Sequence, residues 1–268
     1  MRASAGERIG NYVLLIAFGL FALGPIVTIV AAAFGPDDGG GGSSGFANFG
    51  RAWEIGQFGT YLRMSVAVSV TVVVVSVLLS ILSGYAFGTM RFRGAGVLFY
   101  LFLIGIMMPT EAIVVPLYFD LRTLGLTDTF LAVALPQVAQ SVAFGTFWLR
   151  AYFRSSSRSL VEAARLDGAG HWRTLWLILV PPARPALVTL IVLVFMWTWN
   201  EFLIPLVMVT SESLRTAPLG LAFFSGQYTS GFTLLAAGAV IVGTPVVLVY
   251  AFLQRHFIAG MLEGAVRE

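Results

Sequence analysis

Hydrophobic positions along the chain gather into long, nearly unbroken runs, separated by short stretches that carry arginine. The alternating ten-residue pattern of a membrane barrel is absent. A helix rises ~1.5 Å per residue and the hydrocarbon of a bilayer is ~30 Å thick, so a span needs about 20 mostly apolar residues. Six runs reach that length, at about 12–34, 64–90, 95–119, 129–149, 185–209 and 232–257. Backbone groups in lipid must bond within their own segment, so each run predicts a helix. The expected fold is all-α, a six-helix membrane bundle forming one transmembrane domain over residues 1–268, with no room for a second domain. The first run is too long for a removed signal peptide and lacks the small-residue cleavage pattern, so it is expected to remain as a span. Pro109, Pro116, Pro136 and Pro205 each withhold a backbone donor, and they predict bends that face protein rather than lipid. In the second run Ser80, Ser83, Gly84 and Gly88 recur every three or four residues, a spacing that lets another helix approach closely.

Placement of basic residues near the span ends predicts orientation. With the N-terminus inside, the cytoplasmic segments hold Arg2, Arg8, Arg91, Arg93, Arg150, Arg154, Arg158, Arg165, Arg173, Arg184, Arg255 and Arg267. The outer segments hold only Arg51, Arg63, Arg122 and Arg215. Both termini are therefore expected in the cytoplasm, with the chain crossing the membrane several times.

One inner segment breaks the pattern. Residues 150–184 are too polar to span and too structured in composition to be a linker. Ser159 stands three residues before Glu162, as an N-cap would; Glu162-Ala163-Ala164-Arg165-Leu166 favours helix, and Asp167-Gly168 reads as a stop. The prediction is a short helix, a glycine turn and a second amphipathic helix. The small side chains of Ala163, Ala164 and Ala169, with Leu160, give the first helix a flat face. On composition alone a partner contact and a plain surface helix both remain open.

Composition narrows the chemistry. Hydrophobic residues make up 58% and charged residues 11%, against ~45–50% and ~25% in soluble domains, and mean hydropathy is +0.88, so lipid must solvate much of the chain. The net charge of +3 comes from 16 basic residues, all arginine, against 13 acidic ones; that is too little to suggest nucleic acid. Cysteine is absent and histidine occurs only as His171 and His256, so metal sites and nucleophile–base pairs are poorly supplied. No phosphate-binding G-x-x-x-x-G-K-[ST] motif occurs. The chain by itself is expected to be no enzyme and to carry no cofactor.

The segment Glu162-Ala163-Ala164, three residues, Gly168, nine residues, Ile178-Leu179-Val180-Pro181 resembles the EAA signature of permease subunits in bacterial ABC importers, with Val180 in place of the usual leucine. Further stretches are similar to the carbohydrate-uptake branch, in particular the second, six-span permease of maltose-type transporters. They are Pro116-Leu117-Tyr118 with Leu124-Gly125-Leu126, Trp199-Asn200-Glu201-Phe202 with Pro205-Leu206, Gln254-Arg255-His256-Phe257 with Gly260, and Gly264-Ala265-Val266-Arg267. The similarity runs in order through nearly the whole chain. It departs at Met64-Ser65, where the family usually has Asn-Ser, and in the glycine-rich first outer loop. The resemblance implies a partner permease, two ATPase subunits that carry ATP and Mg, and an extracytoplasmic solute-binding protein, with a sugar or related solute as cargo. It also implies that residues 162–169 (Glu162, Ala163, Ala164, Arg165, Leu166, Asp167, Gly168 and Ala169) form a coupling helix that docks on an ATPase.

Polar residues inside spans are costly and invite functional readings. Asn200 and Glu201, flanked by Trp197 and Trp199, could line a solute pathway, or Glu201 could bond across helices at the Pro205 kink. Gln137 and Gln140 share a face of the fourth run and carry the same two readings. Glu111 and both histidines read as structural or surface groups. A self-contained secondary transporter or channel is the alternative; it would call for inverted repeats and coupling-ion carboxylates, and the chain shows no convincing repeat.

Overall fold

In the computed structural model residues 5–37, 42–155, 158–227 and 231–265 are described, and every regular element among them is helical. The first half holds α1 (Ala5–Phe34), α2 (Phe46–Ile55), α3 (Phe58–Thr89), α4 (Ala95–Met107), α5 (Thr110–Thr123) and α6 (Phe130–Ser155). The second half holds α7 (Arg158–Leu166), α8 (His171–Arg173), a π-helical segment Thr174–Leu179, α9 (Arg184–Asn200), α10 (Leu203–Met208), a 3-10 turn Glu212–Leu214, α11 (Ala217–Gln227) and α12 (Phe232–Ala265). Among the described residues four helices are each long and apolar enough to cross a membrane: α1, α3, α6 and α12. Two further candidates are bent pairs, α4 with α5 at 103°, and the His171–Leu179 segment with α9 at 86°.

Two expected spans are therefore not continuous rods. The third run breaks at Met108-Pro109, both extended; Met108 is the residue before a proline and is pushed out of the helical region. The fifth run breaks at Glu201-Phe202, with Glu201 extended. The bend thus precedes Pro205, which lies in the first turn of α10, where a missing N–H costs nothing. The second amphipathic helix of the inner segment is one α-turn followed by π-helix, closed by Val180 N–H donating to the Leu175 carbonyl at 2.9 Å. Pro181 and Pro182 then end it, as neither offers a donor.

The chain's contacts form two compact units, Met1–Gly59 with Gly220–Thr244 and Thr60–Leu219 with Pro245–Glu268. In the first unit the end of α1 is held by Asn48, fully buried. Its amide donates to the carbonyls of Ala33 and Gly35 at 2.9 and 2.8 Å, groups that a helix end leaves without partners. Ser43 donates to the Asn48 side-chain oxygen at 2.7 Å, and Arg51 pairs with Asp37 at 2.6 Å. The flanks of the glycine-rich loop are thus pinned; its residues 38–41 lie outside the described ones.

In the second unit the small-residue stripe of α3 meets α6. A Cβ built on Gly84 would come 2.8 Å from the Leu149 Cβ, one on Gly88 3.0 Å from the Phe153 Cβ, and one on Gly145 2.7 Å from the Ser80 Cβ. Contact positions rise together along both helices, so α3 and α6 run parallel. Helices α4 and α9 are antiparallel to α6: Arg150 lies over the Phe99 ring while Gly105 faces Ala143, and Trp148 donates to the Ala186 carbonyl while Trp197 donates to Ser141. For α3 and α6 to be parallel, α4 and α5 must together return the chain once.

Candidate functional site

One end of the second unit carries residues 158–173. Helix α7 is two-faced: Val161 packs on the core and Ala164 is 4% exposed, while Glu162, Ala163, Leu166 and Asp167 face outward, Leu166 at 89% exposure. The flat face expected from all the alanines is therefore divided. Ala164 is small so that α7 can lie close to its own scaffold, and the surface free for a partner is that of Glu162, Ala163, Leu166 and Asp167. The helix begins at Arg158, so Ser159 lies inside it rather than at its cap; its side chain and those of Leu160 and Arg165 are outside the described ones.

The stop after α7 is the expected one. Asp167 and Ala169 N–H donate to the carbonyls of Ala163 and Ala164 at 3.0 and 2.9 Å, and Gly168 has φ +76°. That left-handed conformation costs an L-residue ~1–2 kcal/mol and glycine nothing. Nothing lies within 4 Å of where a Gly168 Cβ would stand, so the space beside the turn is open. Below α7 an open cavity of about 970 Å³ is lined by Arg91, Arg154, Glu162 and His171 among others. The ends of α3 and α6 and the inner segment therefore share one side of the unit.

The pathway candidates are held by separate local bonds. Gln137 is 3% exposed, and its amide donates to the Val133 carbonyl at 2.9 Å, in the turn that Pro136 disturbs; its Oε1 is buried without a partner in the protein. Gln140 donates to Thr110 at 3.1 Å, tying α6 to α5. Trp197 donates to Ser141 at 3.1 Å and meets Phe144 edge-on, centroids 5.0 Å apart. Asn200 is exposed and bonds back to the Met196 carbonyl at 2.7 Å. Glu201 accepts from Ile204 N–H at 2.9 Å and so caps α10 across the break, rather than bonding between helices at Pro205. Trp197 and Ser141 meet at the α6–α9 interface, and Gln137 lies one turn from Ser141 on α6; Asn200 and Glu201 stand at and just past the end of α9. Glu111 is exposed in the first turn of α5.

The opposite end of the unit holds residues that sequence reasoning missed. Asp128, at φ +56°, accepts from Thr210 and Ser211 N–H at 2.9 and 2.8 Å and from the Ser211 hydroxyl. The Ser211 hydroxyl and the two backbone donors hold its carboxyl down at about 2, because bonds to the charged form favour it. Tyr61 donates to Glu212 at 3.0 Å, and Ser65 accepts from Ala217 N–H at 2.8 Å. Ser65 thus has a clear backbone role, whatever precedes it in related chains. The signal for these contacts is weak, since each partner is more than 80 residues away.

These features describe a chain that is helical in every regular element of its described residues, with several helices long and apolar enough to cross a membrane and a compact helix presented at one end of the second unit. The chain belongs to the family of binding-protein-dependent transport system inner membrane components, whose model matches residues 76–263. It is 36% identical over 214 residues to the arabinooligosaccharides transport system permease AraQ of Halalkalibacterium halodurans, covering 80% of this chain and 76% of that one. It is 32% identical over 224 residues to the diacetylchitobiose uptake system permease NgcG of Streptomyces coelicolor, covering 83% and 74%. A chain in the crystal structure of a bacterial ABC transporter that imports alginate superposes with a TM-score of 0.81 at 27% identity, over 96% of this chain and 99% of that one.

Proposed function

We propose that this chain is the second permease of an ATP-driven importer for a sugar or oligosaccharide. It pairs with a homologous permease, receives solute from an extracytoplasmic binding protein and docks on one of two ATPase subunits, which carry the ATP and Mg; the chain itself holds no cofactor. It crosses the prokaryotic plasma membrane six times with both termini inside. The parallel run of α3 and α6 supports counting α4 with α5 as one span, and the arginine bias supports the orientation. Relatives that carry arabinooligosaccharides and diacetylchitobiose support the cargo class.

The observation that carries the reading is the outward surface of α7 with its glycine stop. Glu162, Ala163 and Asp167 offer a small, acidic contact, and the open space beside Gly168 leaves room for a docking groove. Arg165, Leu166 and Ala169 flank it. A cationic group in the groove would pair with Glu162, while the inward Ala164 passes rigid motion to the bundle. Gln137, Gln140, Trp197, Asn200 and Glu201 are proposed to border the solute route on α6 and α9.

The test is Glu162→Lys and Gly168→Trp in the reconstituted importer. Both variants should insert and assemble, and solute-stimulated ATP hydrolysis should fall at least tenfold. Undiminished stimulation, or uptake by this chain in liposomes lacking any ATPase, refutes the reading.

A further inference from the structure

The inner segment touches the bundle through a pair that the docking surface does not use. Tyr85, on α3, is 4% exposed, and its hydroxyl stands 3.1 Å from His171 Nδ1. The Tyr85 ring is edge-on to Phe153 of α6, centroids 6.2 Å apart at 88°, and to the His171 ring at 6.3 Å and 68°. His171 opens α8, three residues after the Gly168 turn, and the chain then runs through Leu175 and Leu179 into the core. Among the described residues this is the side-chain hydrogen bond that ties the segment 161–173 to α3. A buried phenol has few alternative partners, and leaving it unpaired is costly, so the bond fixes the azimuth of the segment against α3 and α6. Phe153 supports the phenol from α6, so the three elements are held at one point.

We propose that Tyr85 and His171 form a strut that sets how fully movement of the docked helix reaches α3. They are positioning residues and touch neither nucleotide nor solute. The proposal rests on the coupling function assigned above to α7. A rigid link that carries ATPase movement into the spans also lets the resting spans restrain the ATPases mechanically. Cutting it raises hydrolysis in the absence of solute.

The experiment uses the complete importer in proteoliposomes with its binding protein, ATP as the probe and no solute. Tyr85→Phe and His171→Phe are each expected to raise hydrolysis two- to tenfold, the range of one neutral hydrogen bond. The double variant should rise no further than the larger single one, and His171→Gln, whose amide oxygen can accept from the phenol, should return hydrolysis toward the wild-type rate. A mere packing defect would give additive effects without that rescue. His171 is exposed, so its variants keep the test available if Tyr85→Phe fails to assemble. Unchanged hydrolysis, additive effects or absence of rescue overturns the strut. Gly168→Trp, read in the same proteoliposomes with solute added, separates the two readings: if stimulation is lost there and the strut variants leave solute-free hydrolysis unchanged, only the strut falls, and if stimulation is undiminished, the docking assignment has failed.

Discussion

The closest steric prediction concerns Gly145→Ala in α6. The added methyl would stand 2.7 Å from the Ser80 Cβ, overlap its hydroxyl and lie 3.2 Å from Leu190 Cδ2. Ser80 is fully buried, and turning its hydroxyl does not move its Cβ, so the backbones of α3 and α6 must separate. The same displacement loosens the contacts at Gly84 and Gly88, which are nearly as close. Overpacking of this kind costs about 1–3 kcal/mol. Ser80→Gly removes both clashing atoms at the expense of ~0.5–1 kcal/mol for a helical glycine. The double variant should therefore be about as stable as Ser80→Gly alone, giving a coupling equal to the overpacking cost, about 1–3 kcal/mol, in a double-mutant cycle. Denaturant unfolding in detergent, followed by tryptophan fluorescence, measures all four species. Equal stability of Gly145→Ala and wild type, or additive losses in the double variant, would refute the parallel α3–α6 register.

Glu201→Gln keeps an oxygen for Ile204 N–H and should leave stability unchanged, whereas Glu201→Ala should cost about 0.5–2 kcal/mol as a lost cap; loss of uptake in the Gln variant alone would assign the carboxylate to the solute route. Asn48→Ala strands two carbonyls and should destabilise the α1–α2 corner by about 1–3 kcal/mol, read as faster proteolysis near residues 36–45. Asp128 is held at about 2, below its ordinary 3.8, so its clamp is fully present above pH 4 and is lost as pH falls through about 2. Exchange at the Thr210 and Ser211 amides, corrected for intrinsic rates, should accelerate over that interval in wild type and be fast throughout in Asp128→Ala. Pair-specific crosslinking in this naturally cysteine-free chain should join positions 84 and 149 and fail between 84 and 137.

Hydropathy alone made the long helices α1, α3, α6 and α12 and their approximate limits legible, because lipid admits no unpaired backbone and a bilayer sets a minimum length; the short helices α2 and α11 lay outside the expected runs. Local chemistry did the same for the glycine stop after α7, where a left-handed φ leaves few residues to choose from, and for the small-residue seam of α3. The bends were legible only in part. Pro109 signals its own break, but the break at Glu201 depends on a carboxylate reaching Ile204 N–H, which no pattern of apolar residues records.

Tertiary structure decided which way the alanines of α7 face. Ala163 and Ala164 are indistinguishable as letters, yet a rotation of 100° between neighbours puts one outside and the other against the bundle. It also brought Asp128 to Ser211, Tyr61 to Glu212 and Tyr85 to His171, pairs 83, 151 and 86 residues apart. Such contacts depend on how the helices turn about their axes and return through the membrane. That arrangement is set by packing over the whole bundle, so no single segment of the chain contains it.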